Sequence, residues 1–233
     1  MTLELRHVRA GYGRTEVLHD VSLTVPDGAT VALLGSNGAG KTTTLKTIAG
    51  LVHPSAGDVC WNGKALGHSA PHHRVDQGIC LIPEGRGIFR NLTVAENLAM
   101  HVRGRRKADA VRTATKYFPV LGERLSQTAG TMSGGQQQML AVARALVTQP
   151  QLLMIDELSV GLAPVVIDEL FAAVAMLRAE GRSLLIVEQY VHRALAIADY
   201  VYILHKGRIA FVGEPAQCEG GAVFSRYLGE GVA

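Results

Sequence analysis

The sequence predicts an α/β protein with a mixed sheet core, an N-terminal antiparallel β subdomain and an inserted α-helical subdomain. Three observations lead to this fold class. A glycine-rich loop joins a short buried strand, Thr30–Leu34, to an apolar-periodic helix that begins near Thr43. Two alternating segments, Leu3–Val8 and Val21–Val25, precede the loop and are typical of antiparallel strands. From about residue 92 to residue 148 the pattern is helical, with no convincing strand.

Length and composition limit the classes of protein to which this chain can belong. The chain has 233 residues, 48% hydrophobic content and a net charge of +3, which suits one packed domain and argues against disorder. We expect that domain to cover residues 2–231, with the helical subdomain at about 88–148. No apolar run reaches the roughly 18 residues of a membrane span, and no signal peptide is expected before Leu3. The chain is therefore expected in the cytoplasm. Its three scattered cysteines lack metal-ligand spacing, so we expect reduced, buried thiols in a reducing compartment.

The glycine-rich loop fits the phosphate-binding pattern G-x-x-x-x-G-K-[ST]. Its residues are Gly35, Ser36, Asn37, Gly38, Ala39, Gly40, Lys41, Thr42 and Thr43. Strand, loop and helix in this order bring free backbone N–H groups and a helix N-terminus to one anion site. Lys41 is predicted to reach the β- and γ-phosphates of a nucleotide, and the Thr42 hydroxyl to ligate Mg²⁺. A chance glycine turn is the alternative, which the full motif in this setting disfavours.

Other elements follow from turn chemistry and apolar runs. Pro54–Asp58 and Trp61–Lys64 are predicted to be turns around a short strand. The further predicted elements, in chain order, are the strand Ile79–Ile82, the helix Ile167–Ala179, the strand Ser183–Val187, and a hairpin of Val201–Leu204 with Arg208–Val212. The basic run Arg103–Lys107 is expected to be a solvated loop between helices, with contact to nucleic acid or anionic lipid as the alternative.

An aromatic residue, Tyr12, lies in the predicted glycine loop Ala10–Gly13. Its ring could stack on a nucleotide base or could anchor the loop at the surface. Because a phosphate loop follows, we favour stacking.

A second helix N-terminus begins at Ser133, which is a good N-cap. Gly134 and Gly135 leave its first amides bare and suited to an anion. One chain offers no obvious second phosphate for this helix start. The simplest explanation is that it binds a nucleotide held by another chain. A plain helix cap is the alternative.

Two carboxylates follow the apolar strand Leu152–Ile155. Asp156 at its end fits the residue that holds Mg²⁺, and Glu157 could polarise an attacking water. A chance pair is the alternative, which the upstream phosphate loop disfavours. Gln189 stands just beyond the strand Ser183–Val187, and ligands of open α/β sheets bind outside the carboxyl ends of strands.

These residues together resemble the nucleotide-binding subunit of ABC transporters, from Leu3 to about Leu228. The phosphate loop, Ser133–Gln136 and Asp156–Glu157, in this order, carry the resemblance. It implies a P-loop NTPase fold of ABC type and the cofactors ATP and Mg²⁺. It also implies a head-to-tail dimer that closes on two ATP molecules. In such a dimer each ATP lies between the phosphate loop of one chain and a helix start of the other. The helix-start residues that the resemblance implies are Ser133, Gly135 and Gln136. Tyr12 matches the aromatic residue that stacks on adenine in the family.

Three departures from the usual family pattern indicate which branch of the ABC family the chain resembles. Glu84 replaces the usual Gln and is expected near Mg²⁺ and the nucleotide, and Gln189 replaces the usual His. The segment after Glu157 is Leu158–Pro164 instead of one with Pro and a later Asp. With these features the chain is similar to the LivF-type ATPase of branched-chain amino-acid importers. ATPases of urea and short-amide importers share the same motifs.

The resemblance also implies roles and partners. Glu157, Lys41 and Gln189 are the expected catalytic residues. The expected partners are a second ATPase subunit, identical or not, two transmembrane permease subunits and, indirectly, a periplasmic or extracellular solute-binding protein, with no nucleic acid. The expected location is peripheral, on the inner face of the cell membrane.

Two other classes are weaker alternatives. A non-transport ABC ATPase acting in DNA repair or on ribosomes would carry long coiled-coil insertions or a second cassette, and neither is present in the sequence. A small-molecule kinase could use the same phosphate loop, but Ser133–Gln136 argues against it.

Overall fold

The computed structural model describes residues 1–85, 87–100, 107–188 and 190–218. The strands are β1 (Leu3–Tyr12), β2 (Thr15–Val25), β3 (Thr30–Leu34), β4 (Pro54–Trp61), β5 (Lys64–Ala65), β6 (Ile79–Ile82), β7 (Leu152–Asp156), β8 (Ser183–Val187), β9 (Tyr200–His205) and β10 (Arg208–Gly213). The helices are α1 (Lys41–Ile48), α2 (Pro71–Asp76), α3 (Val94–Ala99), α4 (Lys107–Tyr117), α5 (Pro119–Gly122), α6 (Gly134–Val147), α7 (Pro164–Ala179) and α8 (Val191–Ile197).

The N-terminal strands form the predicted antiparallel sheet, in the order β2-β1-β4-β5. Two local predictions were wrong here. Pro54–Asp58 was expected to be a turn but lies in β4, because it pairs with β1 in an irregular register. Gly57 permits that irregularity, since its φ is +75° and a Cβ there would lie 2.3 Å from the His7 carbonyl oxygen. Tyr12 ends β1 and pairs with Thr15, so it is a strand residue instead of a loop residue.

The second sheet has the order β10-β9-β3-β8-β7-β6. Strands β6, β7, β8, β3 and β9 are parallel, and β10 is antiparallel to β9, so the prediction of a mixed sheet is confirmed. The carboxyl ends of the parallel strands share one edge, which is where ligands bind in such sheets. The phosphate loop, Asp156 and the residues after Ile82 and Val187 therefore lie along the same edge.

Helix α1 packs between the two sheets, where it contacts β1, β2, β4 and β7. This interior includes Val21, Leu33, Leu45, Trp61 and Leu185. On the other face of the mixed sheet, α6 and α7 cover β7 and β8, and this part of the core includes Leu140, Leu153, Leu170 and Ile186. The helix that carries the phosphate loop at its N-terminus is thus held from both sides.

Between β6 and β7 the described residues form helices and one 3₁₀ turn, as the helical pattern predicted. A capping box begins α3, in which the Thr93 hydroxyl accepts from Glu96 N and Glu96 bonds back. The stated extent of the subdomain, about 88–148, stays a prediction. Residues 103–106 of the basic run fall outside the described residues. So does the chain from residue 219 onward, which includes most of the short helical tail that the sequence predicts after the hairpin. Among the described helices, none combines the length and apolar character that crossing a membrane requires.

Candidate nucleotide-binding site

The phosphate loop runs from the end of β3 into α1, and glycines are required at two of its positions for different reasons. Gly40 is the N-cap of α1 and has a φ of +110°, in the region that favours glycine. At Gly35 the limit is space, because a Cβ would lie 2.4 Å from the Leu204 carbonyl oxygen. Strand β9, which carries Leu204, therefore presses directly against the start of the loop.

Lys41 lies inside the loop and is only 7% exposed. Its Nζ donates to the Gly35 carbonyl at 2.8 Å and to the Ser36 carbonyl at 3.2 Å. Burial lowers the pKa of Lys41, and the charges of Glu157 and Asp156 partly oppose that shift. The ammonium is thus surrounded by backbone at a helix N-terminus, which is an arrangement suited to phosphate oxygens.

Thr42 and Asp156 meet although they are 114 positions apart, and the Thr42 hydroxyl donates to Asp156 Oδ1 at 3.2 Å. Burial raises the pKa of Asp156, the charges of Glu157 and Glu84 raise it further, and the Thr42 bond and Lys41 oppose the shift. Glu84, in an exposed position, is therefore close enough to act on the site. A hydroxyl and a carboxylate are the hard oxygen ligands that Mg²⁺ prefers.

No group of three His, Cys, Asp or Glu side chains that could hold a metal occurs within the described ranges. Mg²⁺ does not require one, because it is commonly bound by one or two protein oxygens together with substrate phosphates. The donor set of Thr42 and Asp156 therefore fits Mg²⁺ beside a nucleotide.

Glu157 follows β7 with a φ of +51°, a conformation that is uncommon for a residue with a side chain. Its N–H donates to the Val187 carbonyl at 2.9 Å, which ties the end of β7 to the end of β8. Such a backbone costs about 1–3 kcal/mol and persists only where the surroundings hold it. Strained residues of this kind cluster at functional sites, which agrees with the catalytic role predicted for Glu157.

Two supports of the loop have no recognisable signal in the sequence. The turn between β9 and β10 contacts it, since Gly207 N donates to the Ala39 carbonyl at 2.9 Å. At the far end of α1, the buried Arg74 donates from Nη1 to the Thr47 carbonyl at 2.8 Å and to the Ile48 carbonyl at 2.6 Å. Burial lowers the pKa of Arg74. A cation at a helix C-terminus is favourable, so Arg74 stabilises the helix that presents the loop.

The second helix start is built as a capping box. The Ser133 hydroxyl accepts from Gln136 N at 3.3 Å, and Gln136 Oε1 accepts from Ser133 N at 3.2 Å. Gly135 is required by packing, because a Cβ there would lie 2.7 Å from the Val166 methyl groups. In the part of the chain that the structure describes, no hydrogen bond or ion pair joins this helix start to the phosphate loop. The structure thus brings together Lys41, Thr42, Asp156 and Glu157, but not Ser133.

Tyr12 and Gln189 complete the predicted residues. Tyr12 is 48% exposed, so its ring is open to solvent. Gln189 lies outside the described residues. The sequence analysis gave no role in the site to Ser159 or Glu188, whose buried side chains are joined at 2.5 Å close to Glu157.

The fold and this site define an ATP-binding cassette. The ABC transporter family matches residues 18–160, and the chain belongs to this family as an ATP-hydrolysing transporter subunit. Among solved structures, the ADP conformation of an ATP-binding cassette of an ABC transporter superposes with a TM-score of 0.85 at 25% identity. The superposition covers 98% of this chain and 97% of the solved cassette. The predicted ABC fold is confirmed.

Three named relatives match most of the chain. The high-affinity branched-chain amino acid transport ATP-binding protein BraG of Pseudomonas aeruginosa is 43% identical, over 89% of this chain and 90% of its own. A probable branched-chain amino acid transport ATP-binding protein LivF of Archaeoglobus fulgidus is 40% identical, over 88% and 89%. The lipopolysaccharide export system ATP-binding protein LptB of Escherichia coli is 32% identical over 98% of both chains. The resemblance to the LivF type is thereby confirmed.

Proposed function

We propose that the loop Gly35–Thr43 binds the phosphates of ATP, that Thr42 and Asp156 hold Mg²⁺, and that Glu157 orients the attacking water. The observation that carries this assignment is the Thr42–Asp156 hydrogen bond of 3.2 Å, which joins two distant parts of the chain at the end of the loop. Bound Mg²⁺ would supply charge neutralisation at the phosphate oxygens. Glu84 is the further carboxylate proposed beside it.

The chain's own residues account for the remaining steps. Lys41 and the loop amides bind the β- and γ-phosphates and stabilise the charge that develops on them. Glu157 accepts a hydrogen bond from the water and takes its proton as the water attacks. Gln189 is proposed to donate a hydrogen bond to the γ-phosphate, and Tyr12 to stack on the adenine. An amide at position 189 can hold the phosphate but cannot carry a proton.

The site is proposed to be completed by a second ATPase subunit, either a copy of this chain or a sister protein. Ser133, Gly135 and Gln136 of that subunit would approach the γ-phosphate. Support comes from the start of α6, where Ser133 is exposed and its hydroxyl caps only Gln136 N, so the cap does not use the N–H groups of Gly134 and Gly135. A helix N-terminus with bare amides favours an anion.

We propose import of branched-chain amino acids as the transport that this hydrolysis drives. The support is the higher identity to BraG and LivF, 43% and 40%, than to the lipopolysaccharide export protein, 32%. ATPases of urea or short-amide importers remain the alternative from the sequence motifs. In this proposal two permease subunits hold the chain at the inner face of the membrane.

An apolar groove offers a place for the permease. It lies between α2, β6 and α6 and has a volume of about 270 Å³. Its lining includes Leu51, Val75, Leu81, Pro83 and Ala141. Leu51 and Val75 are 58% and 40% exposed at its rim, where an apolar segment of a permease subunit would cover them.

The test of the hydrolytic site is Glu157→Gln, which keeps the shape of the side chain and removes the proton acceptor. Losing a general base typically costs about 10²–10⁴ in rate, or roughly 3–5 kcal/mol. ATP binding should survive, so the mutant should accumulate an ATP-bound dimer that size-exclusion chromatography in MgATP resolves. Glu123→Gln, an exposed carboxylate in the helical segment, is the matched charge control.

Two results would count against parts of the proposal. Hydrolysis within a few-fold of wild type in Glu157→Gln would remove the role of Glu157. Loss of hydrolysis without an ATP-bound dimer, alone or with a sister ATPase, would remove the two-chain site. The solute is tested separately, by ATP-dependent uptake of leucine into vesicles that hold the co-purified complex, with urea and a short amide as competing substrates.

A further inference from the structure

A buried carboxylate, Glu188, lies beside the candidate catalytic loop and has no part in the mechanism above. It follows the end of β8 and is 2% exposed. Burying a carboxylate is unfavourable unless the group is paired or hydrogen-bonded. The arrangement around Glu188 shows what its burial achieves.

Glu188 accepts a hydrogen bond from the loop that carries Glu157. The Ser159 hydroxyl donates to Glu188 Oε2 at 2.5 Å, and Ser159 is 1% exposed. Hydrogen bonds from a hydroxyl to a carboxylate are short and about twice as strong as neutral ones. The bond therefore fixes the position of Ser159, two residues after Glu157.

A second bond ties the same two segments together. Glu157 N donates to the Val187 carbonyl at 2.9 Å, so a main-chain bond and a side-chain bond join the ends of β7 and β8. Leu158 lies between the two tied positions and is itself buried. These contacts surround the backbone of Glu157, whose φ of +51° needs its surroundings to hold it.

We propose that Glu188 is a positioning residue for hydrolysis, which acts through Ser159 to hold the Glu157 carboxylate in its reactive position. This inference rests on the role proposed above for Glu157 as the group that orients the water. Glu188 does not touch substrate in this proposal. Its effect is on the geometry of the chemical step, and the binding of ATP does not depend on it.

The main test is Ser159→Ala, which removes the hydroxyl and leaves the phosphate loop intact. Misplacing a reacting group by about 1 Å costs up to about 10²-fold, so we expect kcat for ATP hydrolysis to fall about 10- to 100-fold. The KM for MgATP should stay within about threefold, since uniform binding is unchanged. Glu188→Gln keeps an oxygen that can accept from Ser159, and it should retain most of the wild-type kcat.

The chain offers a matched control on β8, the strand that Glu188 follows. Ser183 begins β8, is 2% exposed, and its hydroxyl accepts from Gly28 N at 2.9 Å. Ser183→Ala removes another buried serine hydroxyl, one that is bonded to a backbone N–H, at the opposite end of the strand. Thermal unfolding of both variants measures the loss of stability, and only Ser159→Ala should lose kcat.

The outcomes separate this inference from the function on which it rests. Equal kcat in Ser159→Ala and Ser183→Ala, with Glu157→Gln inactive, overturns the positioning role alone. A raised KM with unchanged kcat in Ser159→Ala also overturns it, because the bond would then serve binding. If Glu157→Gln stays active, the proposed role of Glu157 fails and the positioning role fails with it.

Discussion

The turn between β9 and β10 supports the phosphate loop, and Gly207→Ala tests that support. Gly207 N donates to the Ala39 carbonyl at 2.9 Å, and the Gly207 carbonyl accepts from His19 N at 2.7 Å. A Cβ at this position would lie 2.0 Å from the Val17 carbonyl oxygen, whereas such contacts are essentially never below 3.0 Å. The substitution must therefore move the turn by about 1 Å, which takes the bond to Ala39 out of hydrogen-bonding range.

The expected magnitude has two parts. The φ of Gly207 is +74°, and a side chain in that conformation costs about 1–2 kcal/mol. Losing the bond to Ala39 adds about 1 kcal/mol. The sum of about 2–3 kcal/mol corresponds to a Tm lower by roughly 5–10 °C for a chain of this size.

Gly181 provides the control, because its φ is also +74° but a Cβ there meets nothing within 4 Å. Gly181→Ala should lower Tm only by the conformational part and should leave the KM for MgATP unchanged. Gly207→Ala should lower Tm further and should also raise the KM for MgATP, because the loop loses its support. Thermal unfolding and phosphate release measure both quantities. Equal Tm and equal KM in the two variants would refute the supporting role of the turn.

Three further predictions concern the site and the fold. Lys41→Ala should abolish hydrolysis and weaken ATP binding, measured by phosphate release and equilibrium binding, and near-normal turnover would contradict the placement of the site. Ser133→Arg should block ATP-driven dimerisation in size-exclusion chromatography while the isolated subunit still binds ATP, and an equal loss of binding would contradict a role across the interface. Burial disfavours the charged Glu180 carboxylate, but hydrogen bonds from Lys116 and Tyr117 outweigh this and lower its pKa below the ordinary 4.5. Glu180 is exposed and solvent screens such pairs, so Glu180→Gln should lower Tm by no more than about 2 °C at neutral pH. The difference should shrink as pH falls through the lowered pKa, where wild type loses the same charge; a pH-independent difference would contradict this.

The sequence predicted the parts of the site whose requirements are local. The loop needs glycines and a lysine at fixed spacing, and Asp156 follows an apolar run, so both were recognisable within a short window. The helical segment between β6 and β7 was equally visible from its periodicity. These features do not depend on residues far away in the sequence.

The features that the sequence did not predict depend on contacts between distant residues. Arg74 binds carbonyls of α1 that are 26 and 27 positions away, and Ser159 meets Glu188 across 29 positions. Pro54–Asp58 has the composition of a turn, yet pairing with β1 overrides that tendency. Such contacts leave no periodic trace, so only the folded chain reveals them.

The left-handed backbone of Glu157 sets thermostability against the catalytic role proposed for this residue. Glycine at this position would adopt the same φ without strain, so Glu157→Gly, which removes the proposed general base, would be harder to unfold than the natural chain by up to the cost of that conformation. Directed evolution that selects only for heat resistance would therefore enrich changes at the residue proposed to orient the attacking water. Selection for stability in this chain must retain an activity screen.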